Sequence, residues 1–276
     1  MTTKHPKVQQ RQGEFASRPV TRIWQEQETA TNPYLAESCR CHGYDLFELM
    51  QHRRFVEVLL LLFQGELPTP EQTDLMEALM IACINPGPRH PAGRAAMNAG
   101  VSRSNTAHIL PIALSVMGGT HLGGEEVVAA MRFFQAQQER NPAEVAGELL
   151  AAAVPPRKGD WHIAPGFGSR FGDIDPLATA LASQLHEKPG CGHALHWGDC
   201  LAQELRSWRL GWLSPGIAAA VFIDLGLPPR AGAGLFQLLC APGLLAHGLE
   251  MADKPITAMP FLDKEHYVIA AAAQKN

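Results

Sequence analysis

The chain has 276 residues, of which 46% are apolar and 18% charged, and its formal net charge at pH 7 is −4. Such a chain can bury a sizeable core in one large domain, or in a large and a small one. Its lysines and arginines are scattered, so it lacks the basic surface that nucleic acid binding needs, and we expect no nucleic acid partner. Six cysteines in a chain of this size indicate reduced thiols rather than a disulfide scaffold.

Neither a membrane segment nor a signal peptide is predicted from the sequence. The longest apolar run, Val56–Phe63, is too short to span a bilayer. Residues 1–12 are polar and lack the apolar centre of a signal peptide. We therefore expect a cytoplasmic protein without a membrane partner.

The first third of the chain predicts an arm, an extended stretch and a long helix. Residues 1–33 are polar and weakly patterned, which predicts an N-terminal arm, and residues 35–41 follow as an extended stretch. Asp45 is a suitable N-cap and Gly65 a suitable terminator, so we predict a single helix over residues 46–64.

The remaining elements are also predicted to be helical. Thr69, Pro70 and Gln72 form a capping-box pattern with proline in the first turn. Asp175 and Pro176 mark another helix start in the same way. Further helices are predicted over residues 104–117, 125–140, 142–153, 176–186, 192–208, 216–225 and 231–251. Because few alternating β-branched runs occur, we predict an all-α fold.

One loop carries a resemblance to a known family. The segment Pro165-Gly166-Phe167-Gly168-Ser169-Arg170, followed by Asp175-Pro176, resembles the coenzyme A loop of the citrate synthase family. That loop reads Gly-Phe-Gly-His and then Asp-Pro-Arg. Four other stretches resemble the family in the same order, at residues 43–68, 123–125, 223–228 and 246–250. Matches in one order over about residues 35–260 are more specific than a single motif. The short chain is most similar to citryl-CoA lyase-like members.

The resemblance implies an architecture and an assembly. A large helical domain would comprise residues 34–123 and 226–276, and residues 124–225 would form an inserted smaller domain. Closure of the small domain over the ligands would exclude water from the site. Two chains would intertwine as a homodimer, and pairing with an active paralogue is also open.

The resemblance also places apolar or neutral residues where the family has catalytic ones. Making or breaking a carbon–carbon bond beside a thioester needs a base, an oxyanion donor and arginines for carboxylates. The replaced positions hold Asn85 with Pro86 (family Asp-His), Leu122 and Ser169 (two family histidines), Pro215 (the family aspartate), and Leu177 and Cys240 (two family arginines). Loss of a general base alone typically costs about 10²- to 10⁴-fold in rate.

Four residues remain as candidates for a remodelled active site. His121 precedes the replaced histidine position, and Asn85 and Ser169 occupy replaced positions themselves, so these three are the candidate catalytic residues. His90 could also line the cleft. The alternatives are a helix-entry histidine satisfied by backbone groups for His121, and a solvated loop histidine for His90.

The coenzyme A loop is less altered than the catalytic positions. Pro165, Gly166, Phe167, Gly168 and Arg170 are the predicted cofactor-binding residues. The glycines allow the backbone to approach an adenine or phosphate, and the arginine can pair with a phosphate. The predicted ligand is coenzyme A or an acyl-CoA, with a polycarboxylate as a further small-molecule partner.

A group of cysteines and histidines offers the residue types of a metal site. On one helix, His193, His196 and Cys200 would share a face, with Cys191 just before them. The spacing is not a standard zinc signature, and half-buried helix residues explain it as well, so no metal is assigned.

Two functions remain open from the sequence. The first is a non-catalytic or regulatory homologue that still binds a CoA thioester. The second is an acyl-CoA carbon–carbon lyase or synthase that uses remodelled catalytic residues.

Overall fold

The computed structural model describes residues 18–156, 159–260, 262–263 and 265–267, and within them most residues are helical. The helices are α1 (Leu46–His52), α2 (Phe55–Gln64), α3 (Pro70–Cys83), α4 (Pro91–Val101), α5 (Ile109–Met117), α6 (Gly124–Gln137), α7 (Pro142–Ala152), α8 (Pro176–His186), α9 (His193–Leu205), α10 (Ser214–Asp224) and α11 (Pro229–Ala252). The short strands are β1 (Trp24–Glu28), β2 (Ala36–Cys41), β3 (Tyr44–Asp45), β4 (His162–Ala164), β5 (Phe167–Gly168) and β6 (Gly211–Trp212). The predicted all-α class is confirmed.

The chain divides into two compact units, one ending at Leu67 and the other beginning at Pro68. The first unit contains an antiparallel sheet in the order β1-β2-β3, in which Trp24 pairs with Cys41. Residues 24–28 were predicted as part of an arm and instead form an edge strand; Phe15 lies outside the described residues. A small core gathers under this sheet and its helices: Cys41, Leu49 and Leu61, with Tyr44, Val58 and Leu67 against them.

The prediction of a single helix over residues 46–64 is wrong, because the helical backbone is interrupted between α1 and α2. Arg53 and Arg54 have extended backbones, with ψ of 146° and 152°. The Glu57 carboxylate accepts a hydrogen bond from the Arg54 N–H at 2.7 Å, which caps a new helix start. The predicted terminator is confirmed, since Gly65 has the left-handed φ of 84° that favours glycine.

Other helix starts follow local capping chemistry. Thr69 and Gln72 form the predicted reciprocal capping box, with distances of 3.3 and 3.0 Å. Helix α4 was not predicted, because its cap is the imidazole of His90, whose Nδ1 accepts from the Ala92 N–H at 3.1 Å. The helix predicted to begin at residue 104 starts as a 3₁₀ turn at Thr106 and becomes α-helical at Ile109.

The second unit is built around α10 and α11. Helix α11 packs on α4, α5 and α6, while α10 packs on α6 and α9. By length and composition, α11 is the one helix in the described part of the chain that could cross a membrane. Core helices pass the same test, and α11 buries Leu235, Phe236, Leu239 and Leu244 within the protein.

A second small sheet, in the order β4-β5-β6, lies beside the start of α10. Its aromatic side chains are buried, and the rings of Phe167 and Trp212 stack with their centroids 4.5 Å apart. The turn between β4 and β5 is fixed by Gly166, whose φ of 81° favours glycine. The Gly166 carbonyl accepts from the Leu213 N–H at 2.9 Å, and a Cβ on Gly216 would meet that carbonyl.

Because of this close approach, alanine should destabilise the protein at Gly216, whereas it should stabilise the protein at the open position Gly147. Gly216→Ala places a methyl group against the Gly166 backbone, so we expect a loss of about 1–3 kcal/mol of unfolding free energy. Gly147→Ala, on an exposed and open face of α7, is the matched control and should gain about 0.5–1 kcal/mol. Chemical denaturation measures both. Equal shifts for the two variants would contradict the packing described here.

Candidate functional site

The candidate site is a cavity of about 140 Å³ in the second unit. Segments from α3, the loop before α4, the turn before α6, the loop after β5, and the starts of α8 and α10 surround it together with α11. Five of the residues at positions that the resemblance predicts to be replaced line this cavity: Asn85, Pro86, Leu122, Leu177 and Cys240. Ser214, next to the replaced position Pro215, lines it as well. Positions that are more than 150 residues apart in the sequence therefore converge on one cavity.

Asn85 is the one predicted catalytic residue that lines the cavity. Its Oδ1 accepts a hydrogen bond from the Gly87 N–H at 2.9 Å and lies 3.1 Å from Nε2 of His247 on α11. Asn85 thus holds the loop after α3 against α11. A neutral amide in this position can donate or accept a hydrogen bond but cannot remove a proton from carbon.

His90 lies buried at the cavity wall, so the expected solvated loop histidine is wrong. Because Nδ1 accepts from the Ala92 N–H, the ring proton sits on Nε2, which donates to the Leu122 carbonyl at 3.1 Å. Burial lowers the pKa of His90. The imidazole is therefore neutral and both of its nitrogens are engaged, so it links α4 to the turn at Leu122.

The turn at Leu122 depends on Glu126, which sequence reasoning missed. Leu122 has a left-handed φ of 55°, and its N–H donates to Glu126 Oε2 at 2.7 Å. The other carboxylate oxygen accepts from His162 Nδ1 at 2.8 Å and from the Gly166 N–H at 3.3 Å. This hydrogen bond raises the pKa of His162. The sequence feature that could have identified Glu126 is an acidic side chain next to Val127, among the residues that α6 buries.

His121 and Ser169, the other two predicted catalytic residues, do not line the cavity. The His121 side chain is 56% exposed, and its Nε2 lies 3.8 Å from Asp160 Oδ2. Ser169 is buried and its Oγ accepts from the Trp161 N–H at 3.3 Å, while its own N–H donates to the Trp161 carbonyl. The serine hydroxyl therefore completes the pairing beside β4 and β5 instead of facing the cavity.

Of the predicted cofactor-binding residues, Arg170 lines the cavity, whereas Pro165, Gly166, Phe167 and Gly168 do not. Arg170 Nε lies 3.6 Å from Asp160 Oδ2, and Nη1 lies 3.7 Å from Asp175 Oδ2. Both distances exceed the roughly 2.7–2.9 Å of a charge-assisted hydrogen bond. The guanidinium can therefore turn towards an anionic ligand without breaking a close ion pair.

Two thiols complete the lining. Cys83 and Cys240 both border the cavity. Burial raises the pKa of Cys83 to about 12, and burial next to Cys83 raises that of Cys240 further. Both are therefore neutral thiols near pH 7 and are weak nucleophiles.

Solved structures share this fold. The chain superimposes on citryl-CoA lyase from Hydrogenobacter thermophilus with a TM-score of 0.72 and 24% identity, over 93% of this chain and 96% of that one. ATP citrate lyase from Methanothrix soehngenii, in complex with citrate and coenzyme A, gives 0.68 and 17%, over 93% of this chain and 44% of that one. Citrate synthase from Thermoplasma acidophilum, with carboxymethyl coenzyme A and oxaloacetate, gives 0.59 and 20%, over 80% of this chain and 58% of that one.

These likenesses give the chain a citrate synthase-like fold. The chain spans nearly all of the citryl-CoA lyase chain but less than half of the ATP citrate lyase chain. No family model matches the chain. A search of curated proteins also finds no significant match.

The engaged imidazole of His90 predicts a pH effect on stability. His90 is neutral when folded and gains a proton when unfolded below its ordinary pKa of 6.5, so its contribution to stability is lost as pH falls. We expect the stability advantage of wild type over His90→Asn, which keeps a capping side chain, to shrink from about pH 7.5 to about pH 5. Urea unfolding of both proteins across this range measures it, and an advantage that grew on acidification would contradict a buried neutral imidazole.

Proposed function

We propose that this chain is a non-catalytic or regulatory relative of the citrate synthases and citryl-CoA lyases that still binds a CoA thioester. The observation that carries the proposal is the state of the proton acceptors around the cavity. Among the described residues that line it, the two groups that ordinarily accept protons near neutral pH are His90 and Asp175, and both are already engaged.

Asp175 is occupied by its role as a helix cap. Its Oδ1 accepts from the backbone N–H groups of Leu177 and Ala178, at 3.0 and 3.2 Å, at the start of α8. Its Oδ2 faces Arg170. One oxygen of Asp175 is thus used in capping α8 and the other lies near a guanidinium.

Two of the donors that the family resemblance leads us to expect are missing from the described walls of the cavity. Leu122 and Leu177 stand where the family resemblance places a histidine and an arginine, and Met117, Ile217 and Phe236 extend the apolar lining. Removing one oxyanion donor typically costs about 10²- to 10³-fold in rate. Carbon–carbon bond chemistry by the family's route is therefore not supported by this cavity.

The proposed ligand class rests on the size of the cavity and on the arginines in its wall, Arg89 and Arg170. About 140 Å³ suits a small acyl or carboxylate group, whereas drug-sized ligands fill about 300–1,000 Å³. Arg170 lies at the cavity and is free to pair with a phosphate or carboxylate. The complexes of ATP citrate lyase with citrate and coenzyme A, and of citrate synthase with carboxymethyl coenzyme A and oxaloacetate, support a CoA thioester as the ligand class.

The proposal includes the assembly expected from the resemblance. Residues 34–123 and 226–276 would form the large domain and residues 124–225 the small one, in a cytoplasmic homodimer or in a complex with an active paralogue. An enzyme with remodelled residues is the alternative. It would draw on His121, which lies outside the cavity beside Asp160.

The binding prediction is tested with acetyl-CoA and coenzyme A by calorimetry. Arg170→Ala should weaken binding about 10- to 100-fold, because a hydrogen bond to a charged group contributes about 1.5–3 kcal/mol. Arg209→Ala is the matched control, since Arg209 is exposed, pairs with Asp173 and does not line the cavity. Equal affinities for the two variants, or no binding by wild type, would contradict the ligand assignment.

Turnover is tested separately with citryl-CoA, malyl-CoA, and acetyl-CoA with 2-oxoacids, by following thioester loss and free thiol. We expect no reaction above the rate without protein. Turnover that disappears in His121→Ala would overturn the non-catalytic proposal in favour of the remodelled enzyme.

A further inference from the structure

Three side chains of types that can ligate a metal meet where α8 joins α9, away from the cavity. His186 is the last residue of α8, Cys191 lies in the connecting loop, and His196 lies in the first turns of α9. One potential ligand atom from each lies within 4.8 Å of the other two. The rings of the two histidines meet edge to face, with their centroids 4.1 Å apart.

This group differs from the one weighed on sequence grounds. His193 points elsewhere, with its Nε2 2.9 Å from the Gln138 carbonyl, and Cys200 is exposed further along α9. His186 takes their place. The sequence does not identify His186 as a neighbour of Cys191, because His186 belongs to the preceding helix. The turn between α8 and α9 brings the two residues together.

A carboxylate behind His186 fixes which ring nitrogen is free. His186 Nδ1 lies 2.6 Å from Asp199 Oδ2, and the other oxygen of Asp199 accepts from Trp212 Nε1 at 2.7 Å. Nδ1 therefore carries the proton donated to the carboxylate, and Nε2 keeps its lone pair. Metal-bound histidines in proteins have this arrangement, in which a carboxylate orients the ring and raises its basicity.

The charges around the group favour a cation. Asp199 and Asp224 both act on the Cys191 thiol. The Asp224 carboxylate accepts from the N–H groups of Gly192, Ala194 and Leu195, which anchors the loop beside the thiol. Burial, with these two carboxylates, raises the pKa of Cys191 to about 11. Without a cation the sulfur is thus a neutral thiol.

A second possible group is less suitable. His121, Asp160 and His162 also approach one another, but Arg170 lies 3.6 Å from Asp160. The positive guanidinium opposes a second cation there, and that group contains no sulfur ligand. The group at the α8–α9 junction has neither disadvantage.

We propose that His186, Cys191 and His196 bind a zinc-class divalent cation and thereby tie the end of α8 to the start of α9. Two imidazoles and a thiolate form a donor set typical of zinc, and a fourth position stays open to water. Metal–ligand distances of about 2.0–2.3 Å in a tetrahedral site place ligand atoms roughly 3.3–3.8 Å apart. Small side-chain rotations would shorten the present distances between the ligand atoms to these values. Metal binding then releases the proton of the Cys191 thiol.

The test uses the full chain, stripped with a chelator and titrated with Zn²⁺ by calorimetry and with Co²⁺ by absorption. Wild type should bind roughly one equivalent and show the thiolate-to-cobalt charge-transfer band of a tetrahedral site. Cys191→Ser should lose the band and bind Zn²⁺ at least about 100-fold more weakly. Cys200→Ser removes an exposed thiol from α9 and should match wild type in both measurements.

Two further variants separate ligation from folding. His196→Gln alters an exposed side chain, so the protein should fold with an unchanged circular dichroism spectrum and yet lose most of its zinc affinity. Asp199→Asn should keep the charge-transfer band and weaken zinc binding about 10- to 100-fold. The proposal is overturned if wild type binds no equivalent of either metal, if Cys191→Ser behaves as Cys200→Ser does, or if folded His196→Gln keeps wild-type affinity.

Discussion

The buried carboxylate of Glu126 is the contact on which the candidate site depends. A carboxylate removed from water is costly unless hydrogen bonds and a cation compensate it. Here Leu122, Gly166 and His162 each donate to it, from the turn before α6, the turn between β4 and β5, and β4. One side chain thus fixes three segments, and His90 extends the chain of contacts to α4 by donating to the Leu122 carbonyl.

Local capping chemistry explains which parts of the fold could be predicted from the sequence. Thr69 and Asp175 cap helices through contacts within a few residues, so their sequence patterns were sufficient. The break at Arg54 and the start of α4 were missed because Glu57 and His90 cap these helices without the usual Ser, Thr, Asp or Asn at the N-cap. Such caps are chemically sound but statistically rare.

The sequence predicts which segments meet at the candidate site better than it predicts the directions of their side chains. The convergence of Asn85, Leu122 and Cys240 on one cavity could be predicted, because the collinear matches assign whole segments to places in the fold. Ser169 faces the Trp161 backbone instead, since pairing between β4 and β5 sets the direction of its side chain. Glu126 gave only the weak signal of an acid on an apolar stripe, and its partners were fixed by tertiary structure.

The contacts that preserve the cavity are different from the groups that would carry out chemistry in it. The Glu126 hydrogen bonds and the close approach of Gly166 to Gly216 hold the walls in place through backbone groups. The side chains of Leu122, Leu177 and Cys240 line the cavity and take no part in those hydrogen bonds. The side chains that line the cavity can therefore vary while its walls stay in place, because the two depend on separate sets of residues.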